Sequence, residues 1–307
     1  MKTSIKFIAV LLLVLAFQAP AQEHERVVKQ HFQTTIDPEV TVDVRFGDVV
    51  VMQSPDNTVE AVIRIIVGKG SKEEAKRVAE SVTVDLRQED GRILIRAGLP
   101  KKQSGMQNSG IEIHVTASVP ARARVLCETK FGDAQVSGVQ GRVKVTSSFG
   151  DVKVTRSANL EVYSSYGDVS IGDIGGTMRI KSSMGDIKAF NVPGGKIESS
   201  YGDIDITRPA GNIELYSSMG EVSVKECKGG TIKSSYGDVT LTLAPSFSGT
   251  IEAETSFGDV DGEVELESVG KKNKYGPSAD KKSGKIGNGN DRIMVTSSFG
   301  DVDIDKR

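Results

Sequence analysis

One short motif recurs along this chain: Gly-Asp followed by Val or Ile, usually preceded by two serines and then by Phe, Tyr or Met. Between Gly132 and Gly237 the motif glycines lie 18, 17, 18, 17, 18 and 17 residues apart. Later copies stand at Gly258 and Gly300, and an early copy, Arg-Phe-Gly-Asp-Val, occupies residues 45–49. A fixed short period is typical of stacked repeat architectures, in which each repeat packs only on its neighbours. We therefore expect one structural unit to be repeated along most of the chain, which leaves little sequence for a unique catalytic site.

The residues on both sides of each motif glycine alternate between apolar and polar. In one repeat Val145 before the corner and Val152 and Val154 after it belong to the apolar set, whereas Lys144 and Lys153 fall at intervening positions. A period of two predicts two short strands per repeat, joined by the Gly-Asp corner and by a second turn rich in Gly and Pro. An antiparallel meander and a parallel β-solenoid both fit this pattern. Because each column keeps one residue type over successive repeats, we favour the solenoid. The predicted fold is all-β, a parallel β-solenoid of about ten coils with 17–18 residues each.

The chain divides into three parts by this pattern. Residues 1–21 are predicted to be a signal peptide, residues 22–120 an irregular β-rich part, and residues 121–307 the solenoid repeats. One short helix is predicted over residues 71–80, because Ser71 and Glu74 have the spacing of a capping box. A Lys- and Gly-rich excursion interrupts the repeats near residues 270–290. We expect Arg292–Asp305 to follow it as a closing coil that ends the sheet.

The first residues have the composition of a secretory signal. Lys2 and Lys6 precede eleven apolar residues, Phe7–Phe17, and Ala19-Pro20-Ala21 resembles a cleavage site. The apolar run is too short to span a bilayer, and no second run follows it. The sequence therefore predicts export across the inner membrane to the periplasm or cell surface, with no transmembrane segment after cleavage. The mature charge, 37 Lys and Arg against 41 Asp and Glu, argues against nucleic acid as a partner.

The two cysteines, Cys127 and Cys227, stand in columns that other repeats fill with Val, Ile or Ala. We therefore expect both thiols to be buried as small apolar groups. Their corner glycines are five coils apart, which is about 24 Å at the usual strand spacing. A disulfide needs Cα atoms within about 7 Å, so no bridge is expected between them.

The repeated strand–Gly-Asp-Val–strand pattern, the SKEEAKRVAESV segment at 71–82 and the late KIGNG segment resemble the bacterial "putative-adhesin" β-strand-repeat family of unknown function. That family is related to auto-transporter adhesin head domains. The resemblance covers nearly all of the mature chain and implies a solenoid-like fold at the cell envelope, with no catalytic residues to carry over. Relatives connected with envelope stress and antimicrobial peptides imply an alternative role as a sensor.

A column of aspartates follows the motif glycines, with Glu221 replacing one of them. Stacked carboxylates about 4.8 Å apart repel each other unless something neutralises them. Two explanations stay open. Each Asp could accept hydrogen bonds from the backbone of its own corner, helped by the serine hydroxyls. A row of Ca²⁺ ions could instead lie between the turns, with the candidate ligands Asp151, Asp168, Asp186, Asp203 and Asp238.

The Phe, Tyr and Met column before the glycines has the parity of the inward residues, so we expect a stack that caps the core. The alternative is an exposed ladder whose tyrosines, two coils apart, stack on sugars. Tyr163 and Tyr216 occupy an outward position and are candidate ligand contacts. The excursion adds a cationic loop as a further candidate surface or a solvated linker; its candidate contacts are Lys271, Lys272, Lys274, Lys281 and Lys282.

No catalytic constellation emerges from the sequence. His24, His31 and His114 are scattered, and a column of equivalent carboxylates lacks the paired, unlike environments that acid–base catalysis needs. We expect a non-enzymatic, adhesin-like module of the cell envelope without a cofactor, which binds a cell-surface glycan or an envelope protein through extended faces. The alternatives are an envelope-stress sensor that binds cationic peptides or a signalling partner and, more remotely, a polysaccharide-active enzyme.

Overall fold

The structure, a computed structural model, describes residues 23–34, 37–99, 110–269 and 279–306. Within these ranges the chain forms one helix and two large sheets, of 13 and 14 strands. The predicted signal peptide and Lys271, Lys272 and Lys274 lie outside the described residues. In the part of the chain that is described, no helix has the length and apolar character needed to cross a membrane.

The N-terminal elements are β1 (His24–Gln33), β2 (Glu39–Phe46), β3 (Asp48–Gln53), β4 (Thr58–Val67), α1 (Lys72–Ser81), β5 (Thr83–Glu89), β6 (Arg92–Gly98) and β7 (Ile111–Val119). The repeats follow as β8 (Arg124–Phe131), β9 (Ala134–Ser137), β10 (Arg142–Phe149), β11 (Val152–Ser157), β12 (Asn159–Tyr166), β13 (Val169–Ile174), β14 (Met178–Met184), β15 (Ile187–Val192), β16 (Gly195–Tyr201), β17 (Ile204–Pro209), β18 (Ile213–Met219), β19 (Val222–Cys227), β20 (Gly230–Tyr236) and β21 (Val239–Leu243). The last elements are β22 (Gly249–Phe257), β23 (Val260–Asp261), β24 (Glu267–Ser268), β25 (Asp280–Ile286), β26 (Asp291–Phe299) and β27 (Val302–Asp305).

Each repeat is one flattened coil with one strand in each sheet, and neighbouring coils pair in parallel and in register. Strand β10 pairs with β12 so that Val145 faces Val162 and Phe149 faces Tyr166. Strand β11 pairs with β13 in the same way in the other sheet. Equivalent residues therefore stack directly above one another. This was predicted because each column keeps one residue type over successive repeats. The predicted parallel solenoid is confirmed, and the antiparallel meander is excluded for the repeats.

The hydrophobic core lies between the two sheets and runs the length of the stack. In each coil two residues before the corner and two after it point inward, as with Val143, Val145, Val152 and Val154. Full burial of a Val, Leu or Ile side chain contributes about 1.5–3 kcal/mol. The buried cluster continues from Phe32 to β27 without interruption, so the two sheets share one core.

Glycine is required at the corner for two separate reasons. At Gly185 the backbone angle φ is +110°, a conformation that side chains disfavour. A Cβ atom there would also lie 2.3 Å from the carbonyl oxygen of Gly167 in the neighbouring coil. The same close approach recurs at the other motif glycines of the stack. The glycine column is therefore a consequence of tight parallel stacking at the corner.

The order of the coils departs from the order of the sequence at both ends of the repeats. Named by their corner glycines, the coils stack in the order Gly47, Gly132, Gly150, Gly167, Gly185, Gly202, Gly220, Gly237, Gly300 and Gly258. The early Arg-Phe-Gly-Asp-Val copy thus stacks directly on the first repeat. The prediction that Arg292–Asp305 ends the sheet is wrong, because β26 and β27 lie between the Gly237 coil and the Gly258 coil.

Antiparallel strands close both ends of the stack. At the N-terminal end β6 and β7 extend the two sheets in parallel, and β5, β4 and β1 then pair antiparallel. Helix α1 packs there through Ala75 and Ala79, and its N-cap Ser71 accepts the N–H of Glu74 as predicted. At the other end β25 pairs antiparallel with β22, so residues 280–286 of the predicted excursion form a strand.

Both cysteines are buried and free, as predicted. Cys127 lies in β8 and Cys227 at the end of β19, in opposite sheets. Removal from solvent raises the pKa of the Cys127 thiol to about 12 and that of the Cys227 thiol to about 11. Both thiols therefore behave as core groups.

Candidate functional site

The aromatic and methionine column lies on the surface, so the predicted core-capping stack is wrong. Nine of its ten members keep 40–51% of their surface exposed to solvent: Phe131, Phe149, Tyr166, Met184, Tyr201, Met219, Tyr236, Phe299 and Phe257. Phe46 extends the column at the N-terminal end and is half-buried. The column follows one edge of the stack for nine coil steps, about 43 Å at 4.8 Å per step.

Alternation does not determine burial at this position, because the chain is already turning. Ser147 is buried, as its parity predicts, but Ser148 is half-buried and Phe149 is exposed. The backbone leaves one sheet at Phe149 and enters the other after Gly150. A residue immediately before the corner glycine therefore lies on the outside of the turn, whatever its parity within the strand. Alternation predicts burial only where the strand is straight.

The rings of this column stack face to face along the edge. The Phe131 and Phe149 centroids are 5.0 Å apart with an interplanar angle of 3°, and Phe149 stacks on Tyr166 at 4.9 Å. Further on, Met184 and Met219 alternate with Tyr166, Tyr201 and Tyr236, so that each Met faces a tyrosine on both sides. The neighbours therefore cover the ring faces and leave the ring edges to solvent. This arrangement does not suit sugars, which stack on the faces of aromatic rings.

The aspartate column runs beside the aromatic column and hydrogen-bonds from coil to coil. The Asp151 N–H donates to Oδ1 of Asp133 at 2.9 Å, and the Asp168 N–H donates to Oδ1 of Asp151 at 2.8 Å. The same bond recurs from Asp48 to Glu221 and again from Asp238 through Asp301 to Asp259. Each carboxylate therefore accepts from the next coil, not from its own corner as predicted.

The directions of the corner N–H groups explain why the column holds aspartate. The Gly150 N–H donates to the carbonyl of Tyr166, and the Val152 N–H donates to the carbonyl of Asp168, both towards the following coil. The intervening Asp151 N–H points the opposite way, where the preceding Asp133 offers no free carbonyl. A short side-chain carboxylate supplies the missing acceptor, and so satisfies every N–H of the corner.

Glu221 interrupts this ladder. Its own N–H donates to Oδ1 of Asp203 at 2.8 Å, but its longer side chain makes no hydrogen bond to the Asp238 N–H within the described structure. The serine column beneath the corner is buried, and Ser147 Oγ donates to the carbonyl of Gly150 in its own turn. Four further serines of the column also donate to carbonyls at the corner, whereas the hydroxyls of Ser217 and Ser297 have no partner in the described structure.

The edge is acidic and has few basic neighbours. Asp133, Asp151, Asp168, Asp203 and Asp238 are solvent-exposed, and none has a Lys or Arg partner among the ion pairs of the described residues. No group of three or more His, Cys, Asp or Glu side chains in the described ranges is arranged to hold a metal. The calcium alternative for this column stays a prediction. We call the apolar column together with this acidic column the ladder edge.

The structure does not bring the predicted outward tyrosines together. Tyr163 and Tyr216 are half-buried on the outer face of the 14-stranded sheet, three coil steps apart. Lys144 Nζ lies 5.3 Å from the Tyr163 ring centroid, and Lys196 Nζ lies 5.0 Å from that of Tyr216. Their ring faces are therefore covered by lysines of neighbouring coils.

The two described lysines of the excursion take part in contacts at the C-terminal end of the stack. Lys281 Nζ pairs with Glu254 at 3.1 Å. Lys282 contacts the Val260 carbonyl and pairs with Asp261 at 3.3 Å and with the buried Asp280 at 3.5 Å. Oδ2 of Asp280 accepts the Val260 N–H, which has no further coil to pair with in the described ranges. Both lysines therefore bind residues at the end of the sheet.

A second acidic cluster lies where the last coil enters the stack. The pKa of Asp303 is raised above its ordinary value, first by partial burial and then by the nearby carboxylates of Asp305, Asp261 and Asp301.

On the outer face of the other sheet a shallow groove is lined by Arg45, Arg96 and Leu99. The Arg96 guanidinium is already bound there by Asp43, with Nε 2.8 Å from Oδ2.

Comparisons with known proteins give one family model and several solved structures. A family model described as Toastrack DUF4097 matches residues 38–305. No protein with a curated description matches the chain. A "putative cell adhesion protein" of Clostridium sporogenes is 11% identical with a TM-score of 0.25, over 93% of this chain and 100% of that chain. A "putative adhesin" of Bacteroides fragilis is 10% identical with a TM-score of 0.30, over 92% and 97%. A "putative lipid binding protein" of Parabacteroides distasonis is 11% identical with a TM-score of 0.35, over 92% and 96%.

Proposed function

We propose, from the premise that this chain belongs to the Toastrack DUF4097 family, that it is a non-enzymatic, adhesin-like interaction module of the bacterial cell envelope. The family resemblance predicted from the repeats is thereby confirmed, whereas the relation to auto-transporter head domains stays a prediction. The export of the chain across the inner membrane is part of this proposal and rests on the composition of residues 1–21.

The observation that carries the proposal is the exposed ladder edge. Soluble proteins rarely leave a long contiguous apolar strip in water, and such strips mark interaction surfaces. Here the strip is rigid, because every member is fixed by parallel pairing on both sides except at the ends. A rigid, extended strip suits a partner that lies along it, such as an envelope protein. Catalysis has no support in this arrangement, since equivalent carboxylates share one environment.

Retention of whole bacterial cells on beads coated with the full chain would test this proposal. We expect the triple variant Tyr166→Ser, Tyr201→Ser and Tyr236→Ser to lose retention. The side chains are exposed, so the fold should survive, and circular dichroism checks this. The matched control, Tyr163→Ser with Tyr216→Ser on the outer face, should retain cells as the wild type does. Loss of retention in the control but not in the triple variant would overturn the assignment to the ladder edge.

A second candidate, a sensor that binds cationic peptides, is favoured by the acidic half of the same edge. Ten unpaired or weakly paired acids beside an apolar column complement a peptide that carries both Lys and apolar side chains. Binding of a synthetic alternating Lys-Leu peptide, measured by surface plasmon resonance, should weaken with salt and with the pair Asp168→Asn and Asp203→Asn. A neutral N-acetylglucosamine oligomer serves as the comparison. If the protein binds the oligomer and not the peptide, the result contradicts the sensor. Release of reducing sugar from a polysaccharide would contradict both non-enzymatic candidates.

A further inference from the structure

The coil formed by Asp291–Asp305 is the one repeat in the described solenoid that stands between two coils which precede it in the sequence. Strand β26 pairs with β20 on one side and with β22 on the other, and β27 pairs with both β21 and β23. Without this coil, a gap one strand wide in each sheet would separate the Gly237 and Gly258 coils. We call this gap the coil slot.

The coil slot recognises a repeat by its backbone. On one side the Gly237 N–H donates to the Phe299 carbonyl at 3.0 Å, and the Asp301 N–H donates to Oδ1 of Asp238 at 2.9 Å. On the other side the Gly300 N–H donates to the Phe257 carbonyl at 3.1 Å. A Cβ atom at position 300 would lie 2.4 Å from the Gly237 carbonyl oxygen. The slot therefore accepts a strand pair with Gly-Asp at its corner.

A short hinge leads into the coil. Residues 287–290 read Gly-Asn-Gly-Asn and cross from β25 over β22 to β26. Ser248 holds this crossing: its Oγ accepts the Gly289 N–H at 2.8 Å, its carbonyl accepts the Asp291 N–H at 3.0 Å, and its N–H donates to Oδ2 of Asp291 at 3.0 Å. Two glycines within four residues allow the hinge to adopt other paths.

We propose that the coil slot is a binding site for the Asp291–Asp305 coil of a second copy of this chain, so that two copies can exchange their last coils. The contacts inside the slot are the same whichever copy supplies the coil. Exchange between identical chains through a hinge therefore loses only the hinge contact between the Gly289 N–H and Oγ of Ser248, and the advantage of covalent connection. That advantage corresponds to an effective concentration of about 1 mM for a flexible connection.

Two single-cysteine variants of the full chain test the exchange. Lys233 faces Thr296 in the β20–β26 pair, and both are on the outer face. Lys233→Cys and Thr296→Cys are placed in separate chains whose native cysteines are replaced by Val. A disulfide between the two chains then requires that the last coil of one fills the slot of the other. The chains are refolded together, oxidised and separated on a non-reducing gel.

We expect a covalent heterodimer whose yield rises in proportion to protein concentration, to roughly a tenth of the chains at 100 µM for the effective concentration above. Ser248→Ala in both chains should raise the yield several-fold, because it weakens the hold on the hinge. The control pair combines Lys233→Cys with Thr146→Cys, which lies in the distant Gly150 coil and should give only background.

A single chain that carries both Lys233→Cys and Thr296→Cys checks the register and should close its disulfide internally. If it closes while the mixed chains give no more heterodimer than the control pair, the exchange is refuted. If it does not close, the position of the last coil is wrong and the proposal fails with it. Neither outcome depends on the function of the ladder edge.

Discussion

Within the described residues the side chain of Glu221 makes no hydrogen bond to the next coil, so restoring that bond tests whether the aspartate column serves as a row of acceptors. In every other described coil step from Asp48 to Asp259 the side chain accepts the N–H of the next corner, at 2.8–3.0 Å. Glu221→Asp shortens the side chain by one methylene and places an acceptor where its equivalents stand. We expect the Asp238 N–H to gain this bond and the protein to become more stable.

The gain follows from the environment of the bond. A typical intramolecular hydrogen bond contributes about 0.5–1.5 kcal/mol net, and a charged acceptor strengthens it. Both Glu221 and Asp238 are exposed, so solvent screening keeps the gain at the lower end, about 0.5–1 kcal/mol. A gain of this size slows exchange of the Asp238 amide hydrogen roughly 2- to 5-fold, if the amide exchanges by local opening. The melting temperature should rise by roughly 1–3 °C.

Amide hydrogen exchange, resolved at Asp238, measures this effect directly. The matched control is Glu214→Asp, the same chemical change on an exposed outward position of the same coil. It should leave both the Asp238 exchange rate and the melting temperature unchanged. If Glu221→Asp leaves the Asp238 amide as fast as in the wild type, the carboxylates do not serve as acceptors for the next coil. The column would then need another explanation, and bound cations would be the first to examine.

Three further predictions concern the corner, the cysteines and the last coil. Gly185→Ala should lower the free energy of unfolding by about 3–5 kcal/mol, because both the backbone angle and the contact with the neighbouring coil oppose a side chain. Gly175→Ala, whose added Cβ meets nothing within 4 Å, should change it by no more than about 0.5 kcal/mol in chemical denaturation. Equal losses for the two variants would contradict the role of close stacking at the corner. Cys127 and Cys227 should resist a thiol reagent at pH 8 until the protein is unfolded, since burial raises the pKa of both thiols well above that pH. Rapid labelling of the folded protein would refute their burial. The raised pKa of Asp303 means that the folded state binds its proton more tightly than the unfolded state. The stability that this proton contributes is present at low pH and is lost as the pH rises through the raised pKa. Asp303→Asn should therefore raise the melting temperature at pH 7 and lose this advantage towards pH 4, and an advantage independent of pH would exclude the charge as its cause.

The parts of the fold that depend on the period could be predicted from sequence. Identical residues recur every 17 or 18 positions, and only parallel stacking places identical residues together at every step. The inward positions around Val145 and Val152 follow from alternation, and the helix at Ser71 follows from its cap. The burial of Cys127 follows from its column. Each of these depends on a short segment and its immediate neighbours.

The order of the coils could not be predicted, because all the coils share one consensus. The Gly258 and Gly300 coils offer the same corner to a neighbour, and nothing in a one-dimensional pattern says which of them contacts Gly237. The inverted order of the Gly258 and Gly300 coils depends on the connection through β25 and on the Ser248 contacts, which join residues about 40 positions apart. Contacts of this kind leave no periodic trace in the sequence.

The site was harder to predict than the fold for a related reason. Parity assigned Phe149 to the core, but the turn of the chain at Gly150 moves it to the surface. The sequence favours hydrogen bonds of each aspartate to its own corner, because the N–H of the next coil is not adjacent in sequence. In both cases the deciding contact lies at the corner, where the regular geometry of a strand no longer applies.

We expect the partner to lie along the ladder edge. Carbene footprinting of the full chain, free and bound to whole bacterial cells, tests this most directly. We predict that binding protects Tyr166, Tyr201 and Tyr236, which lie on the ladder edge, and leaves the labelling of Tyr163 and Tyr216 on the outer face unchanged. Protection of Tyr163 and Tyr216 without protection of the ladder-edge tyrosines would contradict the claim.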